Sequence, residues 1–425
     1  MNEGENVMPI DFNPNMISYN PTRIFNNFTT QHRFVSFKAQ PNDTFEKQVK
    51  VKNSSVSSDF DGMTISHKSF GKLKNGEDTT LYTITNKNGA SVELSTFGAT
   101  IVSIKVPDKN GKIVDVTQGY NNVTPYEQAP VGHAGGTIGP CANKINNGSF
   151  TINGEEYKLE CNKDNGKTHC HGGSQGFDVK NWDAEIINDG IKFTYNKKDG
   201  EAGYPGNVKV SVTYKFTNNN ELQIHYDATT DKDTVINMTN HSYFNLDGAH
   251  NAQENSVLDH EIRLPNTTKY TPINDIAIPT GEFAQTKGTP FDLKHDDESI
   301  EDILEEEEFF PQMKKASGID HNFCIDGYDG KKIIKIAEVT SDKTGIKLEV
   351  STNLPGFQFY TANHLGKKAQ PEGKDGLRYE KRSALCIEPQ FYPDAINTFD
   401  EKPILKVGET YSRDIVYKFD VEVDD

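Results

Sequence analysis

The sequence predicts an all-β protein, a large antiparallel β-sandwich with few short helices. Three observations carry that expectation. Val208, Val210, Val212, Tyr214 and Phe216 alternate without a fault, as do Leu222, Ile224 and Tyr226, and Asn218-Asn219-Asn220 between the two runs marks a hairpin. Similar alternation recurs between turn residues from Leu81 to Val421. Helical spacing is sustained at one place, 297–310, where Ile300, Ile303 and Leu304 would share a face. Many strands and almost no helix leave function to one sheet face and its loops.

Taken in order, residues 1–62 are rich in Asn, Ser, Thr and Pro and show no periodicity. They are expected to form a mobile extension ahead of a sandwich domain at 63–425. Between Phe12 and Asn42 there is no acidic residue, while Arg23, Arg33 and Lys38 are present, a composition that suits an organellar transit peptide. Glu3, Glu5 and Asp11 upstream count against one, and the start lacks the basic and apolar stretches of a secretion signal. Val92 and Leu94, then Val102, Ile104 and Val106, read as strands broken at Phe97-Gly98. Ile346 to Val350, Phe357 to Phe359 and Ile415 to Val421 repeat the pattern, and the acidic run at 297–308 reads as solvated surface. A formal charge of −17 argues against nucleic acid or an anionic membrane as partner. No run of 18 apolar residues offers a membrane span. Cys141, Cys161, Cys170, Cys324 and Cys386 form an odd, scattered set, the pattern of reduced thiols, so the expected location is cytoplasmic.

Chemistry concentrates in four stretches. Val235 to Leu246, VINMTNHSYFNL, read as a strand puts Asn237, Thr239, His241, Tyr243 and Asn245 on one face, all hydrogen-bonding and uncharged. Such a face suits a cleft for a polyhydroxylated molecule better than bulk water, although a lone histidine is more often a satisfied core residue. In THCHGGSQGFDVKNW, from Thr168 to Trp182, two glycines follow His171, so backbone could approach a ligand closely. The His-Cys-His run lacks the wider, paired spacings of zinc sites, and no metal is expected. Asp320 and His321 precede a short apolar strand, where a turn aspartate is the simpler reading. In SALCIEPQFYPDAIN, Glu388 closes an apolar strand, which should desolvate it and raise its pKa, and Pro389 holds its backbone extended. A raised, stiffly placed glutamate suits general base catalysis, and an edge glutamate paired with lysine is an equal alternative on this segment alone.

HGGSQGFD, TNHSYFNL, DHNF, PGFQFYTAN and IEPQFYPDAIN, in this order, with GTIGPCANKINNGSF at 136–150 ahead of them, resemble the aldose 1-epimerase family from about Thr80 to Val421. The resemblance implies a sugar site on a concave sheet face, with Glu388 as base on the anomeric hydroxyl and His241 as acid toward the ring oxygen. It further implies that His171 helps bind and polarise the sugar, that Asp320 holds hydroxyls, and that Asn143 and Lys144 contact the substrate. Interconverting α and β anomers needs one proton removed from the C1 hydroxyl and one delivered to the ring oxygen, with no metal or organic cofactor. A raised glutamate and an imidazolium would be a matched pair for this.

Two positions depart from the family pattern. Lys144 and Pro140 stand where arginine is common, and lysine lacks the fork that can grip two hydroxyls. A hexose-6-phosphate 1-epimerase is the nearest alternative, but no arginine falls in the motifs above. A non-catalytic sugar-binding module on the same sandwich is the other, and the presence of both His241 and Glu388 favours the enzyme. The expected partner is a small aldose, and the expected state a monomer or weak homodimer.

Overall fold

Alternating apolar residues can bury one sheet face only if another sheet covers it. In the computed structural model, which describes residues 58–60, 62–128, 132–295, 297–366 and 370–422, three sheets do this for one another. The described residues belong to one compact unit, Asn53–Asp425. Strands Ser58–Phe60, Met63–Lys72, Asp78–Thr85, Ser91–Ser95, Thr100–Pro107 and Ile113–Asp115 form a six-stranded meander. A nine-stranded sheet runs in the order 183–187, 190–197, 208–216, 221–230, 411–421, 346–352, 334–340, 261–263 and 298–299. A five-stranded sheet runs 284–285, 267–270, 320–325, 356–360 and 386–390, and every ladder is antiparallel. One apolar core is drawn from all three, with Ile84 and Leu94 from the first, Val212, Leu348 and Tyr417 from the second, and Phe323, Phe357 and Ile387 from the third.

The expected sandwich is therefore what forms. Val208 to Phe216 pairs with Glu221 to Thr230 across the asparagine turn, and Asn220 takes the positive φ of 55° the turn requires. The helical expectation at 297–310 resolves into a short helix, Ile300–Glu305, with all three expected residues buried. Ser299 starts it by accepting the Asp302 amide at 3.0 Å. A second helix, Pro311–Ala316, follows and leads into the Asp320 strand.

Residues 1–57, which include the acid-poor segment 12–42, lie outside the described residues. Ser58–Phe60 already pairs with Met63–Lys72, so sheet structure begins ahead of the expected boundary at 62. The stretch expected as one strand from Val235 to Leu246 is in fact two short strands, Thr234–Val235 and Thr239–Asn240, on different partners. No helix among the described residues is long and apolar enough to cross a membrane.

Candidate active site

Glu388 lies on the edge strand Cys386–Gln390 of the five-stranded sheet, opposite Gln358, and is 2% exposed. Alternation sends Ile387 into the core and Glu388 to the other face. Burial, with Asp320 as a second negative charge nearby, pushes its carboxyl well above the ordinary range, as its position in an apolar strand predicts. Its Oε1 is 3.6 Å from His241 Nε2, and its Oε2 has no hydrogen-bond partner among the described residues.

His241 is fixed by backbone. Its amide donates to Gly136 O at 3.1 Å and its carbonyl accepts from Gly135 at 2.8 Å. Its ring lies between two others, Tyr243 at 5.0 Å and His133 at 6.0 Å, both stacked, with His171 edge-on at 5.3 Å. Burial, with the charge His133 can carry, holds the His241 imidazole down to about 3. His171 keeps an edge open to the cavity, yet burial and the neighbouring His133 and His241 hold it well below its ordinary value too. The imidazolium expected at His241 is thus not what its surroundings favour. With Glu388 raised and His241 depressed, the resting pair keeps its proton on the carboxyl.

These groups line a cavity of about 460 Å³ together with Asn143, Lys144, Asp320, Tyr243, Tyr360 and His133. All six residues singled out in the sequence are therefore brought together. Asp320 opens the strand Asp320–Ile325, and its Oδ1 accepts from Gln358 Nε2 at 2.6 Å. Asn143, at a φ of +58°, donates its amide to His171 Nδ1 at 3.1 Å. Lys144 points its ammonium elsewhere than into open space, to Asp164 at 2.9 Å and the Ile276 carbonyl at 2.8 Å, which ties two rim segments together. A second groove, of about 580 Å³, crosses the outer face of the nine-stranded sheet past His225. Both nitrogens of His225 are closed by Asp414 and Asp227, and no unpartnered buried group lies in that groove.

His171, His241 and Glu388 offer ligand atoms within 4.8 Å of one another, which makes a metal worth testing. His171 Nδ1 already accepts the Asn143 amide, so the neutral ring carries its hydrogen on Nε2 and has no lone pair to give there. The donor set does not fit a resident cation.

Some expectations change in detail. Gly172 and Gly173 are needed at φ +84° and +70°, but a side chain at Gly172 would strike the Gly139 carbonyl, so this glycine admits another backbone segment rather than a ligand. Asn237 and Asn245, on the polar face expected for Val235 to Leu246, hydrogen-bond to backbone of Phe391, Asn251 and Ser383 and leave only His241 and Tyr243 to the cavity. His133 and its partner Asp178 went unread. The signal was a second histidine among glycines, GHAGG at 132–136, which runs straight on into TIGP.

The match of residues 80–418 to a family model described as aldose 1-epimerase decides the lineage. The chain belongs to the aldose 1-epimerase family. Galactose mutarotase of Bos taurus is 36% identical over 360 residues, which cover 84% of this chain and 99% of the bovine protein. Aldose 1-epimerase of Escherichia coli is 33% identical over 353 residues, 82% of this chain and 97% of its own. The crystal structure of galactose 1-epimerase from Lactobacillus acidophilus matches with a TM-score of 0.72 at 25% identity, covering 84% of this chain and 99% of that one. The aldose 1-epimerase motifs are thus carried on a sandwich that the family shares.

Proposed function

We propose that this chain is a mutarotase, an isomerase that interconverts the α and β anomers of free hexoses such as galactose and glucose. The observation that carries the reading is the Glu388–His241 pair, 3.6 Å apart, Glu388 on a strand and His241 just after the strand Thr239–Asn240, both lining one polar cavity. Glu388 takes the proton of the C1 hydroxyl while His241 gives one to the ring oxygen. The ring opens, the aldehyde turns about C1–C2, and the same two groups act in reverse to close it. For this the single proton of the pair must pass from Glu388 to His241. A C1 hydroxyl donating to Glu388 favours the carboxylate, and a ring oxygen accepting from His241 favours the imidazolium, so bound sugar itself supplies the bias. Asp320, braced by Gln358, and the exposed edge of His171 hold hydroxyls.

A phosphate on the sugar is not supported. Of the three lysines that line the cavity, Lys144 is engaged by Asp164 and Lys315 lies 3.5 Å from Asp275, which leaves Lys163 alone, and no arginine among the described residues joins it to make the cluster a phosphate calls for. The five cysteines are all free, in keeping with the cytoplasm.

Polarimetry of freshly dissolved α-D-glucose and α-D-galactose tests the reading, with purified protein and no added cofactor. Glu388→Gln keeps shape and hydrogen bonding but cannot accept the proton, so kcat should fall by about 10²-fold or more. Near-native kcat in a folded Glu388→Gln protein would remove Glu388 as the base.

A further inference from the structure

Asp178 sits in the single turn Phe177–Val179, behind the cavity wall, and its side chain is 5% exposed. Glycines make room for it. A side chain at Gly136 would meet its Cβ at 2.8 Å, one at Gly176 its Oδ1 at 2.7 Å, and one at Gly98 its carbonyl oxygen at 2.5 Å. The chain therefore keeps three positions small around one buried acid, and that acid has one clear partner. Its Oδ2 lies 2.6 Å from His133 Nδ1, while Oδ1 has no hydrogen-bond partner.

His133 is held at a φ of +56°, outside ordinary histidine backbone, and its carbonyl accepts the Gly136 amide at 2.9 Å. Gly136 in turn accepts the amide of His241, so His133 is registered to the catalytic histidine through two backbone bonds. Its ring lines the cavity, stacked on His241 and 4.8 Å from His171. With Nδ1–H given to Asp178, the other nitrogen, Nε2, has no partner among the described residues. A carboxylate that fixes the tautomer of an imidazole facing a cavity is the arrangement by which proteins aim one ring nitrogen at a ligand.

We propose that His133, oriented by Asp178, is a further sugar-contacting residue whose Nε2 bonds one specific hydroxyl of the hexose. Neutral, Nε2 accepts from that hydroxyl; charged, it donates to it. Asp178 is a positioning residue that acts through His133. The proposal rests on the mutarotase reading of the same cavity and adds a determinant of which hydroxyls are recognised.

The test compares the parent, His133→Phe and Asp178→Asn on glucose, galactose and their 2-, 3-, 4- and 6-deoxy analogues, by polarimetry and by calorimetric binding. His133→Phe keeps a ring against His241 and removes both nitrogens. Asp178→Asn keeps the shape but offers an N–H to Nδ1, which moves the ring hydrogen to Nε2. A lost hydrogen bond corresponds to about 10-fold in affinity. The parent should lose about that factor on one deoxy sugar, and His133→Phe should lose it on the parent sugar and show no further penalty for that deoxy position. Asp178→Asn should weaken discrimination at the same position, with melting temperature checked for both variants. Identical deoxy-sugar penalties in parent and His133→Phe would overturn the contact, and so would losses spread evenly over every sugar. Calorimetry reads the contact even where turnover is absent, so inactivity of the parent defeats the mutarotase reading alone. A parent that binds none of these sugars defeats both.

Discussion

His241 and Glu388 carry opposite shifts with a common cause, since burial raises an acid and lowers a base. The consequence for catalysis is a reversed resting protonation and an unusual pH profile. The active form of the pair holds one proton. Adding a second means protonating His241, which burial and His133 hold down to about 3. kcat/KM should therefore show no acid-side fall down to pH 5, whereas uptake of a second proton by a histidine of ordinary value would impose one below about 6.5. Initial-rate polarimetry across that range checks it, and a limb near 6.5 would show that His241 is exposed to water in the working enzyme. On the proposed roles, Asp320→Asn should raise KM more than it lowers kcat, because its carboxylate, bonded to Gln358, is assigned to sugar hydroxyls rather than to a reacting proton. Glu388 was readable in the sequence because alternation and Pro389 fixed it on an apolar strand, although that strand runs on to Gln390, and burial, with Asp320 nearby, then set its character. His133 was not, because its meaning depends on a tautomer fixed by Asp178, a residue from another segment.

At the level of elements, sequence periodicity found the strands and the one helix face, since both follow from local spacing. It overran at Val235 to Leu246. Polar residues there looked like one continuous face, but their partners are backbone groups of loops brought in from elsewhere, and those bonds break the ladder. The rim shows the same limit. Lysine in place of the family's arginine suggested a weaker grip on sugar, yet Lys144 joins the segment around Asp164 to the one around Ile276. Lys144→Met removes that link without disturbing the acid–base pair. A charge-assisted hydrogen bond of this kind contributes about 1 kcal/mol, so KM for both hexoses should rise about 5-fold with kcat little changed. Steady-state polarimetry over a range of sugar concentrations decides it, and a proportional loss in kcat would mean that Lys144 reaches the reacting atoms.

For the whole molecule, the buried histidines set an acid limit. His241 and His321 are held down to about 3 and His260 to about 4, in each case chiefly by burial. Between about pH 6.5 and pH 4 these histidines bind more protons in the unfolded chain than in the folded one, so their contribution to stability falls as pH falls through that window, while the raised Glu388 carboxyl acts in the opposite sense above its unfolded value. Each such histidine changes stability by up to about 1.4 kcal/mol per pH unit, so the three together, with Glu388 offsetting part of their effect, should lower the melting temperature below pH 6. Calorimetric scans at pH 7.5, 6 and 5 check this, and a level melting temperature would show that these rings gain water or partners on protonation. The way His241 is held, by backbone bonds to Gly135 and Gly136, with His133 and Glu388 brought to it from opposite directions along the chain, bears on folding order. Each of those contacts closes a long loop, which is slow and gains nothing until both ends are in place. Anomerisation is then an assay of completed topology: on dilution from denaturant, strand ellipticity should recover first and catalysis last.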